Sequence, residues 1–286
     1  MSKKMTYIAL LQLTIISISM ILSGCDKHEN AKASEIPQLQ GKLILTGSST
    51  VAPLANEIAK RFEAQHPGVR IDVQTGGSSR GIADSRRGTA DIGMASRALK
   101  SSESDLTAHT IAMDGVGMIL HQDNPIKSLT DKQILDIYTG KITHWSKLGG
   151  TDNPITVINK AEGRATLEVF LHYFKIKNEN IKPSIIIGEN QQAIRTVAGD
   201  PNAIGYVSIG TADYEASHGI PIRLLPINGI KATVANVRKG VFPMSRPLNL
   251  VTHGKISPLA AAFIAFASSS QINDLVEAQY FVPIAQ

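Results

Sequence analysis

The chain has 286 residues, a formal net charge of +5, 43% hydrophobic and 19% charged side chains, and one cysteine, Cys25. A single cysteine excludes a disulfide framework, so packing must hold the fold. The mild positive charge comes without any Lys/Arg run interleaved with aromatic residues, which argues against a nucleic-acid groove.

Lys3 and Lys4 precede an apolar stretch from Tyr7 to Leu22, which Leu22-Ser23-Gly24-Cys25 closes. Charge, then an apolar run, then small residues is the layout of a secretory signal, too short and wrongly flanked for a stable membrane span. The four closing residues resemble a lipobox, which implies cleavage before Cys25 and acylation of its thiol and new amine. Several acyl chains anchor stably where one is marginal. Residues 1–24 are therefore expected to be a signal peptide and 25–38 a lipidated tether, anchored to the cell membrane and facing the periplasm or cell exterior. From Asp26 to about Gln38 the chain is polar, carries Pro37 and lacks apolar periodicity, so it cannot bury enough surface to order itself. Removal of Lys3 and Lys4 with the leader lowers the net charge to +3.

From Lys42 onward, short β-rich runs alternate with helical patterns. Lys42–Thr46 reads as a strand, and Val51–Gln65 as a helix with Leu54, Ile58 and Phe62 on one face. Val69–Gln74 is again a strand, followed by a helix from about Ser79 to Arg87 and the strand Ile92–Ala95. Ile111–His121 is a longer extended run. The helix Asp131–Tyr138, the strand Ile155–Ile158 and the helix Ala165–Phe174 come next, then Ile185–Ile187, Gln191–Ala198 and Ile204–Val207. Leu248–Val251 is a late strand before the helix Pro258–Ala267. This alternation predicts an α/β architecture with a mainly parallel sheet. Extended crossings near residues 115–121 and 240–250 would fit two linked lobes.

Three strand-to-helix turns share one chemistry: Thr46-Gly47-Ser48-Ser49-Thr50, Gly76-Gly77-Ser78-Ser79-Arg80-Gly81, and Lys160-Ala161-Glu162-Gly163-Arg164-Ala165-Thr166. A helix N-terminus exposes unpaired N–H groups at the positive end of its dipole. Ser and Thr add hydroxyls, and Gly lets the backbone approach a ligand. Taken singly, each turn reads as ordinary N-capping; three together leave capping and oxyanion binding both open. Arg164 sits inside the third turn, and Arg97 stands just past the strand Ile92–Ala95, where ligands of open α/β sheets gather. Guanidinium suits forked bonds to phosphate-like oxygens. Arg80, Arg86 and Arg87 read instead as decoration of a solvated helix face.

Catalytic readings find little support. The histidines are scattered, with no H-x-x-x-H pair, so no metal is expected. No Gly-x-Ser-x-Gly elbow and no P-loop is present. Trp145, Tyr138 and Met94 read as packing, and Leu167, Phe170, Leu171 and Phe174 as the buried face of a helix.

The chain resembles the phosphate-binding substrate receptors of bacterial ABC transporters. Besides the turns, the resemblance rests on Leu129-Thr130-Asp131-Lys132-Gln133-Ile134, on Ile137-Tyr138-Thr139-Gly140-Lys141-Ile142 with Trp145, on Asn190-Gln191-Gln192-Ala193-Ile194 and on Ala203-Ile204-Gly205-Tyr206-Val207-Ser208. It covers essentially everything from Lys42 onward. It implies a two-lobed periplasmic binding protein fold, type II-like, with two hinge strands and lobes of about 39–118 plus 242–286 and about 119–241, closing over one anion. Carried over by position, the phosphate-binding residues are Ser49, Thr50, Ser78, Arg97, Arg164, Ala165 and Thr166. Many relatives read Gly-Ser-Gly-Thr where Gly163-Arg164-Ala165-Thr166 stands here, and Lys160 matches an arginine of those relatives. Ser96-Arg97 replaces a Ser-Asp whose carboxylate accepts the proton of hydrogen phosphate. The implied partners are inorganic phosphate, permease subunits and the membrane, with no nucleic acid, no cofactor and a monomeric state. The competing expectations are a sulfate or molybdate receptor and an anchored phosphatase-like enzyme.

Overall fold

The computed structural model describes residues 39–284; the leader, the tether and Cys25 lie outside the described residues. Strand β1 (Gln40–Gly47) runs into helix α1 (Ala52–Gln65), β2 (Gly68–Thr75) into α2 (Ser78–Arg87), and β3 (Ile92–Ala95) into the long strand β4 (Leu106–His121). Helix α3 (Asp131–Tyr138), β5 (Thr156–Lys160), α4 (Ala165–Phe174), β6 (Ile185–Ile187), α5 (Asn190–Gly199), β7 (Ala203–Ser208), α6 (Ile209–Ser217), β8 (Ile222–Leu224) and α7 (Val234–Arg238) follow. The chain returns along β9 (Ser245–His253) and ends in α8 (Pro258–Ala267) and α9 (Asn273–Ala278).

Local chemistry accounts for the sharp ends of these elements. Thr130 accepts from the Gln133 amide while the Gln133 side chain reaches back to the Thr130 amide, a reciprocal cap on α3. Ser257 caps α8 by accepting from Ala260 N. Helix α1 turns Leu54, Ile58 and Phe62 inward, all essentially buried.

The strands order β2-β1-β3-β9-β4-β7-β5-β6, with β8 beside β4. The expectation of a mainly parallel sheet needs correction. Pairing is parallel at the two ends, in β1–β2, β1–β3, β5–β6 and β5–β7. It is antiparallel in the middle, in β3–β9, β9–β4, β4–β7 and β4–β8. The reason is topological: β4 carries the chain out of one half and β9 brings it back, so the two crossings must run in opposite directions.

Two cores flank these crossings. One gathers Leu45, Phe62, Ile92, Ile111, Ala112, Leu248, Leu250 and Phe263. The other gathers Val116, Met118, Trp145, Phe170, Tyr206, Phe242 and Met244. The core thus changes between Ala112 and Val116 on the outward strand, and between Met244 and Leu248 on the return. The second lobe is aromatic at its centre: Phe170 stacks on Tyr206 at 4.3 Å, and Tyr138 tilts against Phe170 at 4.7 Å. Such pairs add about 0.5–1.5 kcal/mol beyond burial. The tyrosine and tryptophan polar atoms are satisfied, Tyr138 Oη donating to Ile158 O at 3.2 Å and Trp145 Nε1 to Asn202 O at 3.0 Å. Met94 is fully buried.

Candidate anion-binding site

Three strand ends meet where the lobes face each other. Gly47 closes β1 at φ +134°, and a Cβ there would lie 2.3 Å from the Met94 carbonyl, so only glycine fits. Its own carbonyl accepts from Gly76 N and Gly77 N, both at 2.9 Å, which pins the β2–α2 turn against the β1–α1 turn. Gly77, at φ +95°, lies against the third turn; a Cβ there would meet Gly163 O at 2.8 Å. A backbone bond from Ser79 N to Gly163 O, 3.1 Å, joins the second and third turns across the cleft.

Between these turns lies a small cavity of about 10 Å³, lined by Ser48, Ser49, Thr50, Gly77, Ser78, Ser96, Arg164, Ala165, Thr166 and Gly188. The N-termini of α2 and α4 open onto it directly, Ser78 and Ala165 being their first residues. Helix starts so placed present unpaired amides and positive dipole ends to one point.

The hydroxyls are held in fixed directions. Ser48 Oγ accepts from Thr50 N and Val51 N at 3.2 and 3.4 Å and therefore donates to Ser96 Oγ, at 3.0 Å. Ser78 Oγ accepts from Ser96 N at 3.1 Å. Thr50 Oγ1 accepts twice, from Asn190 Nδ2 at 3.0 Å and Arg246 Nη2 at 3.2 Å. Arg246 Nη1 donates to Thr166 Oγ1 at 3.0 Å and to Ser96 Oγ at 3.3 Å. Thr50 and Ser96 have both lone pairs occupied, so their protons are what they offer the cavity.

Arg246, which sequence reasoning passed over, organises this cluster. Burial pushes its pKa down from the ordinary value, and Asp114 works the other way. Each residue is a lone charge in an otherwise extended, largely apolar run, and the register of β4 and β9 sets Asp114 opposite Arg246. Two isolated opposite charges, one in each expected crossing strand, were the signal available in the sequence.

Of the residues expected at the anion, Ser49, Thr50, Ser78, Arg164, Ala165 and Thr166 line the cavity, and Arg97 does not. Both Arg97 Nη atoms fork onto Glu103 at 2.8 Å, and Nε faces Glu168 at 3.1 Å. Burial opposes the Arg97 charge, yet these two carboxylates hold its pKa above the usual value. Glu103, six residues downstream, was the sequence signal for this alternative. Arg164 is itself partnered, Nη1 lying 2.6 Å from Glu189 Oε1. Beneath it Lys160, 2% exposed, donates to Glu189 O at 2.9 Å. Burial pulls the Lys160 pKa down to about 7, with Arg246 and Arg164 acting in the same direction and Glu189 opposing. Glu162 is exposed and accepts from Asn178 Nδ2 at 3.2 Å. No carboxylate lines the cavity. Among the described residues no group of three or more His, Cys, Asp or Glu is placed to hold a metal ion.

Two lobes hinged on antiparallel crossings, with helix starts and hydroxyls converging between them, define a binding protein of the venus-flytrap kind. A family model for the PBP superfamily domain matches residues 32–271, and the chain belongs to that superfamily. It is similar, at 34% identity and a TM-score of 0.80, to a Clostridium perfringens substrate-binding protein solved with bound phosphate, covering 86% of this chain and 100% of that one. An ABC-type phosphate transport receptor from Vibrio cholerae matches with 28% identity and a TM-score of 0.70, covering 85% of this chain and 100% of the other. Over 285 residues the chain is 26% identical to the phosphate-binding protein PstS of Bacillus subtilis, covering 96% of this chain and 93% of that protein.

Proposed function

We propose that this chain is an extracytoplasmic receptor that binds inorganic phosphate between its lobes and delivers it to an ABC transporter permease. The observation that carries this reading is the buried Arg246, which organises Thr50, Ser96 and Thr166 around a cavity into which two helices open. Dipole ends, hydroxyl protons and a guanidinium are the groups that replace the water shell of a small oxyanion. A cavity this small suits a free oxyanion rather than a nucleotide or sugar phosphate. The likeness to a protein solved with bound phosphate selects that anion among the tetrahedral ones.

In this reading Ser49, Thr50, Ser78, Ala165 and Thr166 donate to the anion together with Arg164, while Arg246 stands behind the cavity wall and orients the Thr50 and Thr166 hydroxyls. The lobes change over between Ala112 and Val116 and between Met244 and Leu248, a few residues before the expected 118 and after the expected 242, with β4 and β9 as hinges. No catalytic group is assigned: capture and release need none. Cys25 carries the lipid anchor, the stretch to Gln38 is the tether, and the receptor works as a monomer. Cys25→Ala removes the only thiol available for acylation, so the variant should leave the membrane fraction; a processed variant still bound to membranes would overturn the anchor.

Calorimetric titration of the mature chain with phosphate, sulfate and molybdate tests the ligand. Tightest binding of phosphate is expected, and tighter binding of sulfate or molybdate across pH 6 to 8 would reassign the receptor to another oxyanion.

A further inference from the structure

Glu168 stands in the first turn of α4 but does not line the anion cavity. Its carboxylate points across the cleft instead. Oε2 lies 3.1 Å from Arg97 Nε and 2.5 Å from Lys100 Nζ, and Oε1 accepts from Ser79 Oγ at 3.3 Å. Helix α4 belongs to the lobe centred on Phe170, whereas Ser79, Arg97 and Lys100 lie on the opposite lobe, around α2 and the end of β3. Three groups from one lobe thus converge on one carboxylate of the other.

The receiving side is prepared in advance. Glu103, on the same lobe as Arg97, holds both Nη atoms of that arginine, and Asn249 Nδ2 donates to its backbone carbonyl at 2.8 Å. Arg97 Nε and Glu168 Oε2 are both buried, and outside this cross-lobe cluster neither has another partner. Each is desolvated opposite the other when the lobes meet, and each would regain water if they parted. The guanidinium need not reorganise to accept Glu168, so little ordering entropy opposes the contact.

We infer that Glu168 sets the affinity for phosphate without touching it, as the latch that fastens the closed lobes through Arg97, Lys100 and Ser79; this rests on the receptor reading above. Anion and latch stabilise the same closed state, so the latch contributes to measured affinity by slowing reopening. It also gives Arg97 a role: it holds the door rather than the ligand. Lys100 and Glu168 border a wide groove of about 740 Å³, so dissolved salt reaches the latch and screens it.

The sign of the effect makes the idea testable. Glu168 is a negative charge in the first turn of a helix whose N-terminus faces the anion. Were it only a neighbouring charge, Glu168→Gln would relieve repulsion and tighten phosphate binding. A latch requires the reverse. Inorganic phosphate binding is to be measured by calorimetry and stopped-flow fluorescence of Trp145 on wild type, Glu168→Gln and Lys100→Met, at low and high salt. Glu168→Gln should weaken binding about tenfold, most of it in faster dissociation, and Lys100→Met a smaller amount because that lysine is half exposed. Added salt should speed dissociation from wild type more than from Glu168→Gln. Equal or tighter binding by Glu168→Gln, a loss confined to the association rate, or an earlier melt of its phosphate-free form would overturn the latch while leaving the receptor in place. Wild-type protein that took up no phosphate in the same titration would remove the receptor reading, and the latch with it.

Discussion

Arg246 Nη2 lies 2.9 Å from Asp114 Oδ2, with both side chains 1% exposed, on the two strands that connect the lobes. Asp114 is further held by Gly210 N, which donates to Oδ1 at 3.2 Å. The pair therefore ties the hinge strands and the start of α6 to the floor of the anion site. Burying two charges is costly, and such a pair is seldom a net stabiliser. Its use here is directional: Asp114 fixes the guanidinium so that the remaining N–H groups point at Thr50, Ser96 and Thr166.

Breaking this pair from one side should be severe. Arg246→Ala leaves Asp114 buried and unpaired, which costs roughly 3–5 kcal/mol of stability. The double variant Asp114→Asn/Arg246→Met should recover much of that stability in urea unfolding, yet still bind phosphate poorly in calorimetry. Full recovery of binding by the double variant would show that the hydroxyls need no guanidinium.

Arg164 stands at the cavity wall with Glu189 as its counter-charge. A charge-assisted hydrogen bond contributes about 1.5–3 kcal/mol, so Arg164→Ala should weaken phosphate binding by about one to two decades. Ser78→Ala removes one neutral donor and should cost about 1 kcal/mol. Both are read by titration calorimetry at fixed salt. Unchanged affinity in Arg164→Ala would demote this arginine to a cleft-edge charge.

Lys160 gives the protein a pH dependence of definite sign. Its folded pKa, about 7, lies below the ordinary 10.5. Between these values the unfolded chain binds the extra proton, so the Lys160 contribution to stability rises with pH across that window. Below about pH 7 both states carry the charge, and the full cost of burying it is present. Urea midpoints of wild type should therefore climb more from pH 6 to pH 9 than those of Lys160→Met. Equal slopes for the two would mean that Lys160 keeps an ordinary pKa.

The cavity wall also bears on anion choice. Phosphate near neutral pH still carries a proton and needs one acceptor, but no carboxylate lines this cavity. Ser96 and Thr50 have their lone pairs filled, whereas Ser49 has no hydrogen-bond partner among the described residues. Its oxygen is therefore free to accept. Ser49→Ala should weaken phosphate more than sulfate in competition titrations, and excess sulfate should displace a fraction of phosphate from wild type. A variant that lost both anions equally would assign Ser49 a donor role only.

Much of this was legible residue by residue. Helices α3, α4 and α8 and strand β3 could be bounded from the sequence because caps and apolar periodicity are local. The short pieces α7, β8 and α9 were passed over; at three to six residues each they carry too little periodicity to register. The Ser/Gly/Thr turns were visible for the same local reason, since glycine freedom and hydroxyl donors act within a few bonds. Arg97 and Arg246 were not separable in this way. Both are arginines at or near a strand terminus, and which one holds the hydroxyls of the cavity wall depends on carboxylates that the fold delivers.

By itself the sequence determined the alternation of elements and the three turns suited to an oxyanion. These depend on side-chain pattern and backbone preference over spans of a few to some twenty residues. Only the tertiary structure decided that β4 and β9 run antiparallel, that Arg246 pairs with Asp114 132 positions away, and that Glu168 claims Arg97. The physical reason is that a charge is assigned by whichever opposite charge it is buried beside, and burial is set by strand register and lobe closure rather than by neighbours along the chain.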